Sequence, residues 1–142
     1  MRVIEFGKNI NSIPIVSVVV PCYNIANRMS RFLVSLLNQT YTNLDVIFVN
    51  DRSTDSTEDC IYEYIPKYVD KGMRVRYIYQ ENKGLGGAIN TGLKYVEGEY
   101  LIWPNPNNWL SNDSIEKKIV ILQNNESIGV VTSNAFFITN VI

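Results

Sequence analysis

The sequence predicts an α/β domain built on a mostly parallel, twisted sheet with helices on both faces. Three observations carry that expectation. Short runs such as "IVSVVV" and "LDVIFVN" are apolar throughout, which suits strands covered on both faces. Stretches with apolar residues at helical spacing alternate with those runs. Each run ends in a polar turn rich in Asn, Asp, Gly or Pro, where a chain leaves a sheet to start a helix.

The elements follow in order. Residues 1–14 read as an N-terminal extension, and 15–142 as the domain proper. "IVSVVV" (15–20) is a buried strand ending at Pro21. In "NRMSRFLVSLLNQ", Met29, Phe32, Leu33, Leu36 and Leu37 fall at i, i+3, i+4, i+7 and i+8, the stripe of an amphipathic helix. "LDVIFVN" (44–50) is a second buried strand. In the next helix Asp55 and Glu58 have capping-box spacing, and Pro66 is expected to kink or end it. "MRVRYIYQ" (73–80) alternates as a third strand. "ENKGLGG" then introduces a short helix, "AINTGLKYV". "EYLIW" (99–103) is a fourth strand, "SNDSIEKKIVILQNN" a further helix, and "IGVVTSNAFFITNVI" one or two more strands.

Composition narrows the function. A chain of 142 residues, 46% hydrophobic and 19% charged, suits one domain with a real core. Its net charge of −1, without a basic block, argues against nucleic-acid binding. No apolar run reaches bilayer-spanning length, and the N-terminus lacks a secretory-type apolar segment. Cys22 and Cys60, far apart and without metal spacing, read as reduced thiols of a cytoplasmic protein. With no histidine, the usual general base and the commonest zinc ligand are both missing.

In a parallel sheet, ligands collect beyond the carboxyl ends of the strands. Those ends are Pro21-Cys22-Tyr23-Asn24, Asn50-Asp51-Arg52, Glu81-Asn82-Lys83-Gly84 and Pro104 to Asn108. Asp51 could accept from the N–H edge of a nucleobase, or it could cap the following helix. Tyr23 could stack on a planar ring, or be a half-buried edge aromatic. Gly84, Gly86 and Gly87 could bring backbone N–H groups to a phosphate, or make a tight turn. They match neither the dinucleotide fingerprint nor the triphosphate loop, because Ile89 and Leu93 stand at required Gly and Lys positions. Arg52 and Lys83 could be solvated or meet a diphosphate. In "NPNN", Asn105, Asn107 and Asn108 could hold a ligand or an ion weakly, or make a polar turn stiffened by Pro104 and Pro106.

Taken in order, four of these segments resemble the family 2 glycosyltransferases, which have the Rossmann-like GT-A fold. "VSVVVPCYN" is similar to the family's first strand and P-x-Y-N turn. "SLLNQTYTNLDVIFVNDRSTDST" resembles S-L-L-x-Q-T…E-I-I-V-V-D-D-G-S-T-D-x-T. "NKGLGGAINTGL" resembles N-x-G-x-x-x-A-R-N-x-G-L, and "GEYLIWPNPNNWL" resembles G-E-Y-I-x-F-L-D-x-D-D. The resemblance spans residues 15 to 139.

It implies a nucleotide-diphospho-sugar donor, with UDP the family's usual carrier, and a glycan or lipid-linked acceptor for the full enzyme. Tyr23, beside the main chain of Pro21 and Cys22 and next to Asn24, would pack on the base. Asp51 would bind its edge, and Asn82, Gly84 and Asn90 would border the nucleotide. Asn105 would stand where ribose is held, and Asn107 where an aspartate holds Mg or Mn on the diphosphate. The departures matter equally. Arg52 replaces Gly, Ile89 replaces Arg, and all three acidic positions of the metal motif are amides. The metal is therefore expected to bind weakly or not at all. The chain also ends before the family's acceptor half with its catalytic base. It reads as a truncated, donor-binding half with impaired transfer, or as a pseudoenzyme or scaffold, with dimerisation through the truncated face open to it. The expected location is cytoplasmic, or the cytoplasmic membrane face if the chain belongs to a longer protein.

Overall fold

The computed structural model describes residues 1–7 and 13–134. In chain order the elements are β1 (Arg2–Phe6), β2 (Val16–Cys22), α1 (Ser30–Leu37), β3 (Leu44–Asn50), α2 (Thr57–Asp70), β4 (Arg74–Tyr79), α3 (Gly84–Leu93), β5 (Tyr100–Ile102) and α4 (Ser114–Gln123). They form one sheet in the order β1-β4-β3-β2-β5, parallel except for β1.

The strand order fixes where a ligand can sit. From β2 the chain steps to β3 and then β4, and afterwards crosses back to place β5 on the other side of β2. Right-handed crossovers in opposite directions must lie on opposite faces of a sheet. Accordingly α1 and α2, joined by α4, pack on one face through Phe32, Leu36, Ile61, Tyr68, Ile115 and Ile119. α3 covers the other face, with Ala88 against Val19, Ile47, Val49 and Ile78. The direction reverses between β2 and β5, so the crevice of the sheet opens at the carboxyl end of β2.

Several expectations are corrected. The N-terminal extension contributes β1, which pairs antiparallel with β4 from Arg2 opposite Tyr79 to Phe6 opposite Val75. Its short alternating segment "RVIEF" has Phe6 edge-on to Tyr62 on one face and Glu5 beside Arg76 on the other. β2 does not stop before Pro21. The proline is tolerated because β5 pairs with β2 only as far as Val18, so no neighbour on that side needs its N–H. Pro66 lies inside α2, which continues to Asp70. The capping box is absent: Ser56 is the cap residue without a side-chain bond, while Asp55 Oδ1 accepts from the Thr57 backbone N–H at 3.0 Å and from its hydroxyl. α3 starts at Gly84, before the segment expected to be helical. No strand occurs in residues 127–134, and the rest of the C-terminal strand expectation lies outside the described residues.

Candidate functional site

Three of the four turns are tied into one platform by side chains that read as ligand contacts in the sequence. Asn24 has a positive φ of 48°, a conformation that asparagine tolerates better than most residues. Its Oδ1 accepts from the N–H groups of Thr54 at 2.8 Å and Asp55 at 3.3 Å, and its own N–H donates to Ser53 Oγ at 3.0 Å. Asn24 therefore clips the turn after β2 to the turn after β3. Asp55 completes the clip by accepting from Ala26 N–H at 3.0 Å. Burial pushes its carboxyl upward, but these hydrogen bonds to the ionised form prevail and hold it below the ordinary value. Asn82 does the same one strand further on. Its amide N–H donates to the Asp51 carbonyl at 3.2 Å, and its Oδ1 accepts from Gly84 N–H at 3.1 Å.

Asp51 sits at the centre of that platform, 2% exposed. It does not cap α2. Its N–H donates to the Cys22 carbonyl at 2.9 Å. Its Oδ1 accepts from Gln80 Nε2 at 2.7 Å and from Lys83 N–H at 2.9 Å. Oδ2 takes no hydrogen bond from the described residues. A buried carboxylate with one oxygen anchored and the other free is an acceptor held ready for an N–H donor. Beside it Tyr23 is 53% exposed, an aromatic ring offered to solvent at the end of the central strand.

The other expected residues fall into place less directly. Cys22 turns its side chain into the core, and burial pushes its thiol well above the ordinary range, so it contributes only main chain. Pro21 is half-buried, and Asn90 lies exposed on α3. Gly84 has φ +71°, which its lack of a Cβ allows, and opens α3 toward the platform. Arg52, also at positive φ (61°), forms an exposed ion pair with Glu81 across the rim.

The NPNN turn follows β5, and no hydrogen bond among the described residues ties it to the platform. Asn105 Oδ1 accepts from the backbone N–H of Asn107 at 2.9 Å and from its side-chain amide at 3.0 Å. Asn105 and Asn108 line a groove with Ile102, Pro104, Trp109 and Lys117. The donor set does not fit a divalent cation: the oxygens are uncharged amides, and one already accepts twice from within the turn. Among the described residues no three carboxylate, thiol or imidazole groups come together as a metal site.

Gln80 was missed by sequence reasoning. The available signal was its place as the polar residue ending an apolar strand, one step beyond the Asn50–Tyr79 pair and hence level with Asp51.

A strand order that reverses beside a buried carboxylate is shared by many nucleotide-binding folds, so comparison with known proteins decides among them. The family model for glycosyl transferase family 2 matches residues 17–140. The chain belongs to that family. Among family 2 relatives, glycosyltransferase GlyA of Streptococcus pneumoniae is 37% identical over 117 residues, covering 80% of this chain and 16% of that protein. Chondroitin synthase of Escherichia coli is 36% identical over 104 residues, covering 73% and 15%. The chain thus spans a minor part of its relatives' length. S. aureus TarS 1–349, solved in complex with UDP-GlcNAc, has a TM-score of 0.68 at 26% identity, covering 77% of this chain and 31% of that one. Mannosyltransferase PcManGT from Pyrobaculum calidifontis, solved with GDP-Man and Mn2+, has a TM-score of 0.67 at 27% identity, covering 77% and 32%. The fold is therefore that of the GT-A glycosyltransferases. No helix among the described residues is long and apolar enough to cross a membrane.

Proposed function

We propose that this chain is the donor-binding half of an inverting family 2 glycosyltransferase, and that it holds a nucleotide diphosphate, UDP by preference, without a working metal arm. The observation that carries the reading is Asp51: buried, anchored through Oδ1, free at Oδ2, and placed beside the exposed ring of Tyr23 at the reversal of strand order. A base stacked on Tyr23 would donate its N–H edge to Asp51. The main chain of Pro21 and Cys22 would border it on one side, and Gly84 and Asn90 on the other. Binding of UDP-GlcNAc by TarS supports the donor class.

In a whole enzyme, a base supplied from beyond residue 142 would deprotonate an acceptor hydroxyl of a glycan or lipid-linked sugar. That oxygen would attack the anomeric carbon as the nucleoside diphosphate leaves. A divalent ion, when bound in such enzymes, neutralises the charge growing on the leaving group. Asn105 and Asn107 would fall at the positions where the family's aspartates hold it, and their amides would offer it no charge. Loss of such stabilisation, on the order of several kcal/mol at about 1.4 kcal/mol per tenfold in rate, lowers transfer by orders of magnitude. A second reading follows from the amide-to-amide contact inside NPNN: the chain binds nucleotide without turnover.

Calorimetric titration with UDP, with and without Mn2+, tests the nucleotide binding that both readings share. It is run on this chain and on Asn105→Asp/Asn107→Asp/Asn108→Asp. The expected result is metal-independent binding by the parent and a gain with Mn2+ only in the triple variant. Absence of nucleotide binding by both would refute the donor-site reading and leave a scaffold.

A further inference from the structure

Gln80 is the one buried side-chain amide that touches Asp51 among the described residues, and half of it is unsatisfied. It is 2% exposed at the end of β4, and its N–H donates to the Asn50 carbonyl at 3.0 Å. Its Nε2 donates to Asp51 Oδ1 at 2.7 Å, while its Oε1 is buried with no hydrogen-bond partner. The amide cannot simply be turned over. An ionised carboxylate only accepts, so Nε2 must face it, and Oε1 is left stranded on the other side. Burying an acceptor without a donor costs stability, and an apolar side chain of the same length would avoid that cost. A half-satisfied amide in this position is explained by what its donor does for Asp51.

We propose that Gln80 is a positioning residue of the donor site, locking the Asp51 carboxylate through Oδ1 so that Oδ2 is free to accept from the N–H edge of the nucleobase. The inference rests on the donor-site reading above. Two anchors act on Oδ1, from different segments. Lys83 N–H comes from the backbone that opens α3, and Gln80 Nε2 comes from the strand itself. The backbone donor survives any side-chain change, so losing Gln80 leaves Asp51 buried and charged but free to rotate about its remaining contact. The entropy of fixing the carboxylate then falls on ligand binding. No covalent step is involved. Gln80 does not touch the ligand, since its free oxygen is shut away from the surface.

The test uses two variants of this chain and UDP as the probe, with the parent titrated alongside at every pH. Gln80→Met keeps the length of the side chain and removes both polar groups. It is expected to bind UDP about tenfold more weakly than the parent, the loss associated with one hydrogen bond to a charged group. Its melting temperature should stay near the parent's, because removing the stranded Oε1 offsets removing the donor. Gln80→Glu provides the readout that a structural role would not move. At low pH the introduced carboxyl and Asp51 retain a shared proton, and the protonated side chain donates to Oδ1 as the amide did. As pH rises both groups ionise and repel, and the donor is lost.

The titratable and charged groups around the Gln80 position are Cys22 at the end of β2, Tyr23 and Arg28 in the turn after it, Arg52 and Asp55 in the turn after β3, and Glu81 and Lys83 after β4; Asp55 is taken up by Ala26 and Thr57. Arg52 and Glu81 are paired with each other, and the Cys22 thiol is pushed out of this range by burial. Affinity of Gln80→Glu relative to the parent is therefore expected to approach one at about pH 5 and to fall about tenfold or more by about pH 8. Parent-like affinity of Gln80→Met, or a flat ratio for Gln80→Glu across that range, would overturn the inference while leaving the donor site standing. If the parent itself binds no UDP, the donor-site reading falls and this inference falls with it.

Discussion

Asn105 and Asn107 are held together by a contact that two carboxylates could not make. Asn107 Nδ2 donates to Asn105 Oδ1, and the Asn107 backbone N–H donates to the same atom. Placing aspartate at both positions replaces the first bond by like-charge repulsion, which a divalent cation would relieve. Asn105→Asp/Asn107→Asp is thus expected to melt below the parent in EDTA and to recover with Mn2+, whereas the parent's melting curve should not respond to Mn2+. Saturation at a hundred times Kd is worth about 2.7 kcal/mol, or several degrees for a domain of this size, and is readily seen by scanning fluorimetry. Asp51 was recognisable in the sequence as a polar residue just past a buried strand, but whether it capped the helix or faced a ligand was not. That choice depends on Gln80 and Lys83, about thirty residues away, reaching its Oδ1. Asn24 and Asn82 were found for their place and not for their role. Their side chains are spent on Thr54, Asp55, Gly84 and the Asp51 carbonyl, which local sequence cannot reveal.

At the scale of the elements, the seating of α3 on the sheet is what brings Lys83 N–H to Asp51. A Cβ on Gly92 would lie 2.4 Å from Val19 Cγ1 and 3.3 Å from Val49 Cγ2, both on buried strands. Helix propensity alone would favour alanine there by about 1 kcal/mol. The overlap with two buried β-branched side chains outweighs it, at about 1–3 kcal/mol. Gly92→Ala is expected to lower the urea midpoint with an unchanged m-value, and to weaken UDP binding if α3 is lifted with its first turn. Buried strands and amphipathic helices were legible because their periodicity is local: β2, β3, β4, α1 and α2 all lie where the pattern puts them, within a few residues. β1 was not legible, since five residues at a terminus gain strand structure only by pairing with β4. For a related reason Pro66 does not end the helix. A proline penalises a helix locally, but Ile61, Ile65 and Tyr68 on either side of it are buried in the core, and α2 runs on to Asp70.

At the scale of the whole molecule, the sheet formed by the described residues ends on a short strand. β5 has three residues, pairs with β2 on one edge, and meets no further strand among the described residues on the other. Beside that edge Trp103 is 57% exposed and Trp109 45% exposed, although Arg31 lies over the Trp109 ring. Unpaired N–H and C=O groups bordered by large apolar side chains are a template for pairing with another chain. The opposite end of the sheet is better protected, because β1 carries Arg2 and Glu5, which pair with Glu58 and Arg76. Self-association is therefore expected through the β5 edge and not through β1. Leu101, in the middle of β5 and 37% exposed, is the position at which a charge would oppose it. Sedimentation velocity of the parent should show a concentration-dependent shift toward dimer, and Leu101→Lys should remain monomeric over the same range. Since Leu101 lies at the amino-terminal half of the strand pairing, opposite Ser17 and away from Tyr23 and Asp51, UDP affinity should be unchanged in that variant. A parent that stays monomeric would mean that the exposed tryptophans and the short edge are tolerated as they are, and that this edge is no pairing surface.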